Sequence, residues 1–358
     1  MKKKKILLVD YNYKDGGPKT VNANLMHSFL AEKYDFRVVC SDNAVFHYNP
    51  LKALRFISYY INTINKEHGD IAYIRGLEYV GLLMTLACRL SNIKKSILVV
   101  HGSVWDVPDD HSLRHWLLKY IIEPLEILLA DKVITVCKAE QKICKCLRFA
   151  RKDANEGYIY NTFPNVKYDT VPSGTLRREF DIPQDKIIVI SVGRVVERKG
   201  HQYLIDAIRK FQDPNFVFVI VGEGEYVDEY RKLCQQEIAE HHLLLLGSRS
   251  DVYALLKDSD IFVFPTLNEN HSMALLEAVN MHCAVIATNV GGNPESIEDG
   301  KTGVLIEPKN SEQIIEGLLK LKDSNLRKKY SAAAFEYARS HFSVKNTLGK
   351  LDKLFEKE

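Results

Sequence analysis

Short apolar segments alternate with longer amphipathic ones along nearly the whole chain, and this alternation constrains the fold more than any other feature. In the first half, five segments have the length and apolar content of buried strands: residues 5–10, 36–41, 71–74, 96–101 and 132–136. Residues 20–31 and 51–66 lie between them and have the spacing of helices. Strands that alternate with helices form right-handed βαβ units and a parallel sheet. The sequence therefore predicts an α/β fold.

A polar stretch with three prolines, residues 163–183, interrupts the alternation and is the predicted link between two domains. A second series follows, with predicted strands at 186–192, 216–221, 243–246, 261–264, 284–287 and 303–306. Its predicted helices are 202–211, 225–239, 252–256, 273–280, 312–321, 326–341 and 345–357. Since one core stops growing at about 250–300 residues, the length also favours two domains. We expect two Rossmann-like, doubly wound parallel-sheet domains, 1–165 and 166–341, that face each other across a cleft.

The composition argues against several classes of protein. A formal net charge of +3 is too small for nucleic acid to be the expected partner. The seven cysteines are scattered and include no Cys-x-x-Cys pair, which favours reduced thiols and a cytoplasmic location over disulfides or a zinc site. The lysines at 2–5 precede only four apolar residues, so we expect no signal peptide. No apolar run reaches the roughly 18 residues that a membrane-spanning helix needs.

The first candidate functional segment follows the predicted strand 186–192 and carries two cations between glycines. It reads Gly193-Arg194-Val-Val-Glu-Arg-Lys199-Gly200. Arg194 and Lys199 are expected where a strand turns into a helix, a common position for binding phosphate. A guanidinium and an ammonium there can neutralise the charge that develops on a leaving diphosphate. A solvated basic loop without a ligand is the alternative.

Two acids frame the second candidate segment, which follows the predicted strand 261–264 and runs from Glu269 to Glu277. A helix rises about 1.5 Å per residue, so their separation in sequence corresponds to roughly 12 Å. The carboxyl pair of a glycosidase is closer, at about 5–9.5 Å. The spacing instead suits two acids that bind different parts of one long ligand, and it indicates a nucleotide-sugar.

Two glycine turns complete the candidates. Gly16 and Gly17 lie between the first predicted strand and the first predicted helix, where backbone amides can approach the phosphates of a donor. Gly291 and Gly292 follow the predicted strand 284–287, in Val-Gly-Gly-Asn-Pro-Glu. Either turn alone would be ordinary.

In combination these segments resemble the retaining glycosyltransferases of family 4, which have the two-Rossmann-domain glycosyltransferase B fold. The Gly-Arg-x4-Lys-Gly segment, the Glu-x7-Glu segment and the Gly-Gly-x-Pro-Glu turn occur in the family's order and at about its usual separations. The resemblance covers essentially the whole chain. It implies that the first domain binds the acceptor and the second binds the donor. It also implies that a final helix, about 342–358, packs back on the first domain.

The resemblance assigns roles to the acids and cations. Arg194 and Lys199 would bind the donor diphosphate and stabilise it as it leaves. Glu269 would contact hydroxyls of the transferred sugar, and Glu277 would hydrogen-bond the ribose. His101 matches a histidine that many members place near the reacting sugar; a strand-end histidine with a structural hydrogen bond is the alternative.

Further residues would line the diphosphate site by the same resemblance: Gly16, Gly17, Gly193, Asn270, His271, Ser272 and Met273. Backbone amides of the loop 270–273 would contribute at the N-terminus of the next helix. Many members have Gly-Phe-Gly where this chain has Asn270-His271-Ser272. We expect this departure to add side chains near the sugar and to alter donor selectivity without abolishing activity.

The resemblance implies a metal-independent hexosyltransferase that needs no cofactor besides its nucleotide-diphosphate sugar, with UDP-sugars favoured over GDP-mannose. A glycan or lipid-linked acceptor is expected, in the synthesis of surface polysaccharide such as lipopolysaccharide or capsule. The oligomeric state stays open. Two alternatives remain: a non-catalytic subunit that binds a nucleotide-sugar and supports an active transferase, and a nucleotide-sugar epimerase on the same fold.

Three further patterns have simpler explanations. Asp258-Ser-Asp260 mimics a metal-binding Asp-x-Asp, but it precedes a strand, and we predict structural capping. Gly222-Glu-Gly224 starts like a dinucleotide fingerprint but has Val227 at the third glycine position. Residues 51–66 and 113–129 mix apolar, aromatic and basic side chains. Packing on the first sheet is the simpler interpretation, and peripheral contact with the inner membrane surface is the alternative.

Overall fold

The structure of the chain is a computed structural model that describes residues 3–11, 17–41, 49–107 and 111–357. Contacts divide the chain into two compact units. The first consists of Met1–Thr162 and Val344–Glu358, and the second is Phe163–Ser343.

The first unit is built on a six-stranded parallel sheet with the order β2-β1-β3-β4-β5-β6. Its strands are β1 Lys4–Asp10, β2 Tyr34–Cys40, β3 Ile71–Gly76, β4 Lys95–Val100, β5 Lys132–Thr135 and β6 Asn155–Tyr158. Its helices are α1 Gly17–Met26, α2 Leu30–Lys33, α3 Pro50–Glu67, α4 Glu78–Leu90, α5 Leu113–Leu117, α6 Glu123–Leu129, α7 Lys138–Ile143 and α17 Val344–Lys357. A π-helical turn, Leu118–Ile122, joins α5 to α6.

Helices cover both faces of this sheet, which explains why its strands are almost wholly apolar. Leu7 and Val9 of β1 belong to a core cluster that includes side chains of α3, α4 and α6. Ile6 and Leu8 point to the opposite face and belong to a cluster with α1 and α17. The C-terminal helix is therefore part of the core of the first unit.

The second unit has a six-stranded parallel sheet with the order β12-β11-β10-β7-β8-β9. Its strands are β7 Ile187–Val192, β8 Phe216–Val221, β9 Leu243–Leu245, β10 Ile261–Phe264, β11 Ala284–Thr288 and β12 Val304–Ile306. Its helices are α8 Thr175–Glu179, α9 His201–Lys210, α10 Val227–Leu233, α11 Gln235–Ala239, α12 Val252–Lys257, α13 Met273–Asn280, α14 Asn293–Ser296, α15 Ser311–Lys320 and α16 Ser324–His341. The chain builds one half of the sheet from β7 to β9 and then returns to place β10 on the other side of β7.

The predicted fold class is confirmed, because both sheets are parallel and each has a doubly wound order. Local predictions were less accurate. The predicted helix 20–31 is two helices, α1 and α2. The sequence did not indicate β6, a four-residue strand that contains Gly157, or α4, in which six of the 13 residues are buried. Among the helices of the described ranges, none has the length and apolar content needed to cross a bilayer.

Candidate functional site

The order of the second sheet brings the two predicted functional segments together. β7 and β10 are neighbours in the sheet, although β8 and β9 separate them in sequence. The loop with the cations follows β7, and the loop with Glu269 follows β10. Crevices at such a reversal of strand order are the usual ligand sites of doubly wound sheets. The topology therefore places both loops at the expected binding edge.

Hydrogen bonds connect the two loops directly. The carbonyl oxygen of Arg198 accepts from the amide of Leu267 at 2.8 Å and from the hydroxyl of Thr266 at 3.1 Å. In return, the Arg198 guanidinium donates to the carbonyl of Asn268 at 3.3 Å. The sequence did not single out Arg198 or Thr266, because their partners are identified only by the sheet order.

A glycine allows this close approach. Gly200 has a φ of 66° and precedes α9. A β carbon at this position would collide with the carbonyl oxygen of Pro265, so the contact between the loops requires glycine. The glycine that follows Lys199 in the predicted motif is therefore explained by the packing of the two loops.

Lys199 and Glu269 form an ion pair across the two loops, through Nζ and Oε2. Both side chains are 15% exposed. The Lys199 ammonium also lies 5.2 Å from the centre of the Phe264 ring, a cation–π distance. A cation and an acid that are 70 positions apart in sequence therefore lie side by side at this edge of the second sheet.

A third loop, after β11, holds the main chain of Glu269. The amide of Gly292 donates to the carbonyl oxygen of Glu269 at 3.1 Å. Gly291 has a φ of 50°, and a β carbon on it would collide with the same oxygen. The Gly292 amide thus supports the loop that carries the acid. An approach of this turn to a ligand stays a prediction.

The loop 270–273 uses its side chains mainly for packing and capping. Asn270 is buried. His271 is buried with its ring 4.6 Å from the ring of Phe342, and burial lowers the pKa of His271 to about 3, so the ring is neutral. Ser272 is the N-cap of α13, its hydroxyl accepting from the amide of Leu275 at 3.4 Å. Met273 is the first residue of α13 and is buried.

Glu277 lies on the body of α13 and is partly exposed. Burial of its carboxyl raises the pKa of Glu277 to about 7, although a hydrogen bond with the hydroxyl of Tyr253 on α12 lowers it. A carboxyl poised near neutrality at a ligand-binding edge is typical of a functional residue.

Arg194 lies on the cation loop and, unlike Lys199, is exposed. The loop around it is fixed by the turn after β8. The amide of Val195 donates to the carbonyl of Glu223 at 2.9 Å, and a β carbon on Gly222 would collide with the carbonyl of Gly193. The glycines that resemble a dinucleotide fingerprint therefore support the cation loop.

The remaining candidates lie in the first unit. His101 follows β4, and burial together with the nearby charge of Arg75 holds the pKa of His101 well below its usual value. Arg75 on β3 is ion-paired with Asp10 at the end of β1, at 3.8 Å. Gly17 is the first residue of α1, whereas Gly16 lies outside the described residues.

The Asp-x-Asp pattern has the predicted structural role. Asp258 accepts from the amides of Gly174 and Leu176, at 2.5 and 2.8 Å, at the start of α8. Asp260 accepts from the amide of Ile188 at 2.9 Å. In the part of the chain that the structure describes, no three His, Cys, Asp or Glu side chains are grouped so that they could hold a metal ion.

Comparison with known proteins identifies related sequences and structures. A model of the family described as glycosyl transferases group 1 matches residues 173–339, which lie within the second unit. The Escherichia coli protein named UDP-Gal:alpha-D-GlcNAc-diphosphoundecaprenol alpha-1,3-galactosyltransferase is 26% identical over 285 residues, 74% of this chain and 69% of that protein.

A second curated relative is a Campylobacter jejuni protein named N-acetylgalactosamine-N,N'-diacetylbacillosaminyl-diphospho-undecaprenol 4-alpha-N-acetylgalactosaminyltransferase. It is 32% identical over 167 residues, which are 46% of each chain. The alignments thus span from 46% to 69% of the lengths of these two relatives.

The fold is shared with solved structures. The crystal structure of Anabaena HepE in complex with UDP and glucose has a TM-score of 0.80 and 18% identity, over 99% of this chain and 100% of that chain. Sucrose-phosphate synthase from Thermosynechococcus elongatus also has a TM-score of 0.80, with 17% identity and 99% coverage of both chains. The solved structures thus show the glycosyltransferase B fold for the chain, and the family model identifies residues 173–339 as similar to the group 1 glycosyl transferases.

Proposed function

We propose that the protein transfers a sugar from a nucleotide-diphosphate sugar to a glycan or lipid-linked acceptor, with retention of anomeric configuration and without a metal ion. The observation that carries the proposal is the Lys199–Glu269 pair at the reversal of strand order in the second sheet. The pair places an ammonium that can bind phosphates next to a carboxylate that can bind sugar hydroxyls.

The second unit supplies the proposed donor site. Lys199 and the exposed Arg194 bind the diphosphate and stabilise the charge that develops as it leaves. Glu269 accepts hydrogen bonds from the sugar hydroxyls, and Glu277 accepts them from the ribose. Backbone amides of the loop 270–273, together with Gly193, contribute to the phosphate site in this proposal. A role of Gly16 and Gly17 in donor binding stays a prediction, and the first unit is proposed to bind the acceptor.

Retention needs no separate general base in this proposal. The departing diphosphate, held by Lys199 and Arg194, can take the proton of the acceptor hydroxyl on the face from which it leaves. Burial and the nearby charge of Arg75 lower the pKa of His101, which favours its neutral form, so we propose a neutral hydrogen-bonding role for its ring. A contact between His101 and the transferred sugar stays a prediction.

The relatives favour a UDP-sugar as donor and a lipid-linked acceptor. The Escherichia coli relative is named for UDP-Gal and for a diphosphoundecaprenol acceptor, and HepE was crystallised with UDP and glucose. GDP-mannose is the second choice of donor. We therefore propose a role in surface polysaccharide assembly, at the cytoplasmic face of a membrane.

Transfer itself tests the proposal. With a panel of UDP- and GDP-sugars and undecaprenyl-diphosphate-linked sugars as acceptors, we expect transfer from a UDP-sugar, with the donor's anomeric configuration kept in the product, as read by NMR coupling constants. An excess of EDTA should leave the rate unchanged. Inversion of configuration, or a rate restored only by added manganese, would contradict the proposed mechanism. Transfer from GDP-mannose alone would contradict the proposal that the donor is a uridine nucleotide.

The substitution Glu277→Gln should weaken donor binding and at the same time stabilise the protein at alkaline pH. The folded-state pKa of Glu277 is raised to about 7, from an ordinary value of 4.5. Between these values the folded state binds more protons than the unfolded state, so the free energy of unfolding falls as the pH rises. Glutamine carries no charge and removes this loss, so the variant should be more stable than the wild type at pH 8 but not at pH 4.

The affinity of the wild type for UDP should have the opposite pH dependence: it should increase with pH, whereas the free energy of unfolding decreases. The ionised carboxylate accepts ribose hydrogen bonds best, so wild-type affinity should rise as the pH increases through about 7, and Glu277→Gln should bind roughly tenfold more weakly at pH 8. Calorimetric titration with UDP and thermal unfolding at both pH values measure the two effects. Unchanged UDP affinity in the variant would remove Glu277 from the donor site.

A further inference from the structure

Arg198 is a basic residue of the loop after β7 that has no role in the donor site proposed above. It lies next to Lys199, and its side chain is partly exposed. In the described part of the chain, its guanidinium has no acid within ion-pair distance and donates one hydrogen bond, from Nη1 to the carbonyl oxygen of Asn268 at 3.3 Å. Asn268 immediately precedes Glu269. The side chain of Arg198 therefore acts on the main chain that carries the acid.

The main chain of Arg198 holds the same stretch, residues 266–268. Its carbonyl oxygen accepts from the amide of Leu267 at 2.8 Å. The Thr266 hydroxyl lies 3.1 Å from this oxygen and 2.9 Å from the carbonyl oxygen of Asn268. A hydroxyl has one hydrogen to donate, so it cannot serve both oxygens fully. The Arg198 guanidinium supplies the Asn268 oxygen with a second donor.

A second set of contacts comes from β11 and the turn that follows it. The hydroxyl of Thr288, the last residue of β11, donates to the carbonyl oxygen of Thr266 at 2.6 Å. Thr266 and Thr288 are 0% and 1% exposed, so solvent does not compete for this bond. The Gly292 amide holds the carbonyl oxygen of Glu269 itself. Since β10 lies between β7 and β11 in the sheet, the loop after β10 is braced from both neighbouring strands.

The bond from Arg198 fixes the peptide group that leads into Glu269. The carbonyl of Asn268 and the amide of Glu269 belong to this one group, which is planar. A donor that holds the carbonyl oxygen therefore sets the rotation of the plane, and with it the direction in which the side chain of Glu269 leaves the main chain. A charged donor holds an oxygen more strongly than a neutral one. Such precision matters in catalysis, because a displacement of about 1 Å can lower a rate by roughly 100-fold.

We propose that Arg198 is a positioning residue for sugar transfer, which orients the peptide between Asn268 and Glu269 so that the Glu269 carboxylate meets the hydroxyls of the transferred sugar. The inference rests on the proposed function, which gives Glu269 this ligand. Arg198 and Lys199 are adjacent in sequence and act on two parts of the same acid. Lys199 pairs with its carboxylate, and Arg198 holds the peptide before it.

Two substitutions of Arg198 separate positioning from direct binding of the donor. Arg198→Met keeps an unbranched stem and removes the donor, so kcat should fall by about 10–100-fold, while the affinity for UDP stays within about twofold of the wild type. Arg198→Lys restores a charged donor without the planar fork and should recover part of the loss. Arg209→Met is the matched control, since Arg209 is exposed near the end of α9 in the same unit. A parallel loss of UDP affinity would make Arg198 a ligand of the diphosphate and overturn the positioning role.

A double-mutant cycle with Glu269→Gln tests whether Arg198 acts through the acid. Residues that act as a unit have non-additive effects on rate. The variant that combines Arg198→Met with Glu269→Gln should therefore transfer sugar no more slowly than Glu269→Gln alone. If the two losses multiply, Arg198 contributes independently of the acid, and the inference is wrong. Thermal unfolding of each variant shows whether the fold is retained.

Amide hydrogen exchange provides a measurement that does not depend on sugar transfer. Peptides that cover residues 266–269 and 290–293 should exchange at least about threefold faster in Arg198→Met than in the wild type, because the loop is held less firmly. Arg198→Lys should lie between the two, and Arg209→Met should match the wild type. Unchanged exchange in Arg198→Met would overturn the inference, whether or not transfer is observed. A wild type that transfers no sugar would count against the proposed function alone, and the exchange rates would still decide whether Arg198 positions Glu269.

Discussion

Replacing Lys199 by methionine should lower kcat/KM for sugar transfer by about 10²–10³-fold while the protein stays folded. The ammonium of Lys199 lies at the edge of the second sheet where the diphosphate is proposed to leave, and it is largely shielded from solvent. Loss of one preorganised charge at such a position typically costs this much in rate. Methionine keeps an unbranched apolar stem but removes the charge, and with it the cation–π contact with Phe264.

Lys210 provides the matched control for this variant. It lies at the end of α9, is 54% exposed and forms an ion pair with Glu312 at 2.6 Å. Lys210→Met removes a lysine and a surface ion pair from the same unit, and such pairs contribute little to stability. Steady-state kinetics with the proposed UDP-sugar donor should show wild-type values for Lys210→Met. Equal rates in the two variants would exclude Lys199 from catalysis.

Replacing Glu269 by glutamine should separate donor binding from transfer. Transfer should fall by about 10²–10³-fold, because a carboxylate that is proposed to contact the reacting sugar is lost. Binding of UDP, which carries no sugar beyond the ribose, should not weaken. Lys199 is paired with Glu269 in the structure, and release of this partner should strengthen UDP binding by up to about fivefold. Calorimetry with UDP and turnover assays measure the two effects separately.

A parallel loss of UDP affinity and of turnover in Glu269→Gln would mean that the residue only supports the loop. Glu312→Gln is the control, since it breaks the exposed ion pair with Lys210 in the same way. Thermal unfolding of both variants shows whether the fold is retained. Wild-type turnover in Glu269→Gln would contradict the proposed site.

The sequence indicated the elements of the candidate donor site because the glycines, cations and acids follow strands directly. Strand ends in a parallel sheet share one edge, so Lys199 and Glu269 could be expected at the same edge before any coordinates were known. Their direct contact could not be expected, because it depends on β10 pairing with β7 and on the hydrogen bonds of Arg198. These partners are distant in sequence and belong to no short motif.

Side-chain roles that depend on packing were also beyond the sequence. In the loop Asn270-His271-Ser272, the sequence did not indicate that His271 packs on Phe342 or that Ser272 caps α13. Phe342 follows α16, far along the chain. The predicted effect of this loop on donor selectivity stays a prediction.

The resting pair of Lys199 and Glu269 carries little net charge, although each partner alone would attract ions. Free phosphate or chloride gains little by entering, since any anion that approaches the ammonium also meets the carboxylate. A molecule that presents phosphates to one partner and hydroxyls to the other compensates both at once. The pair can thus discriminate against the abundant simple anions of the cell before any larger recognition surface is engaged.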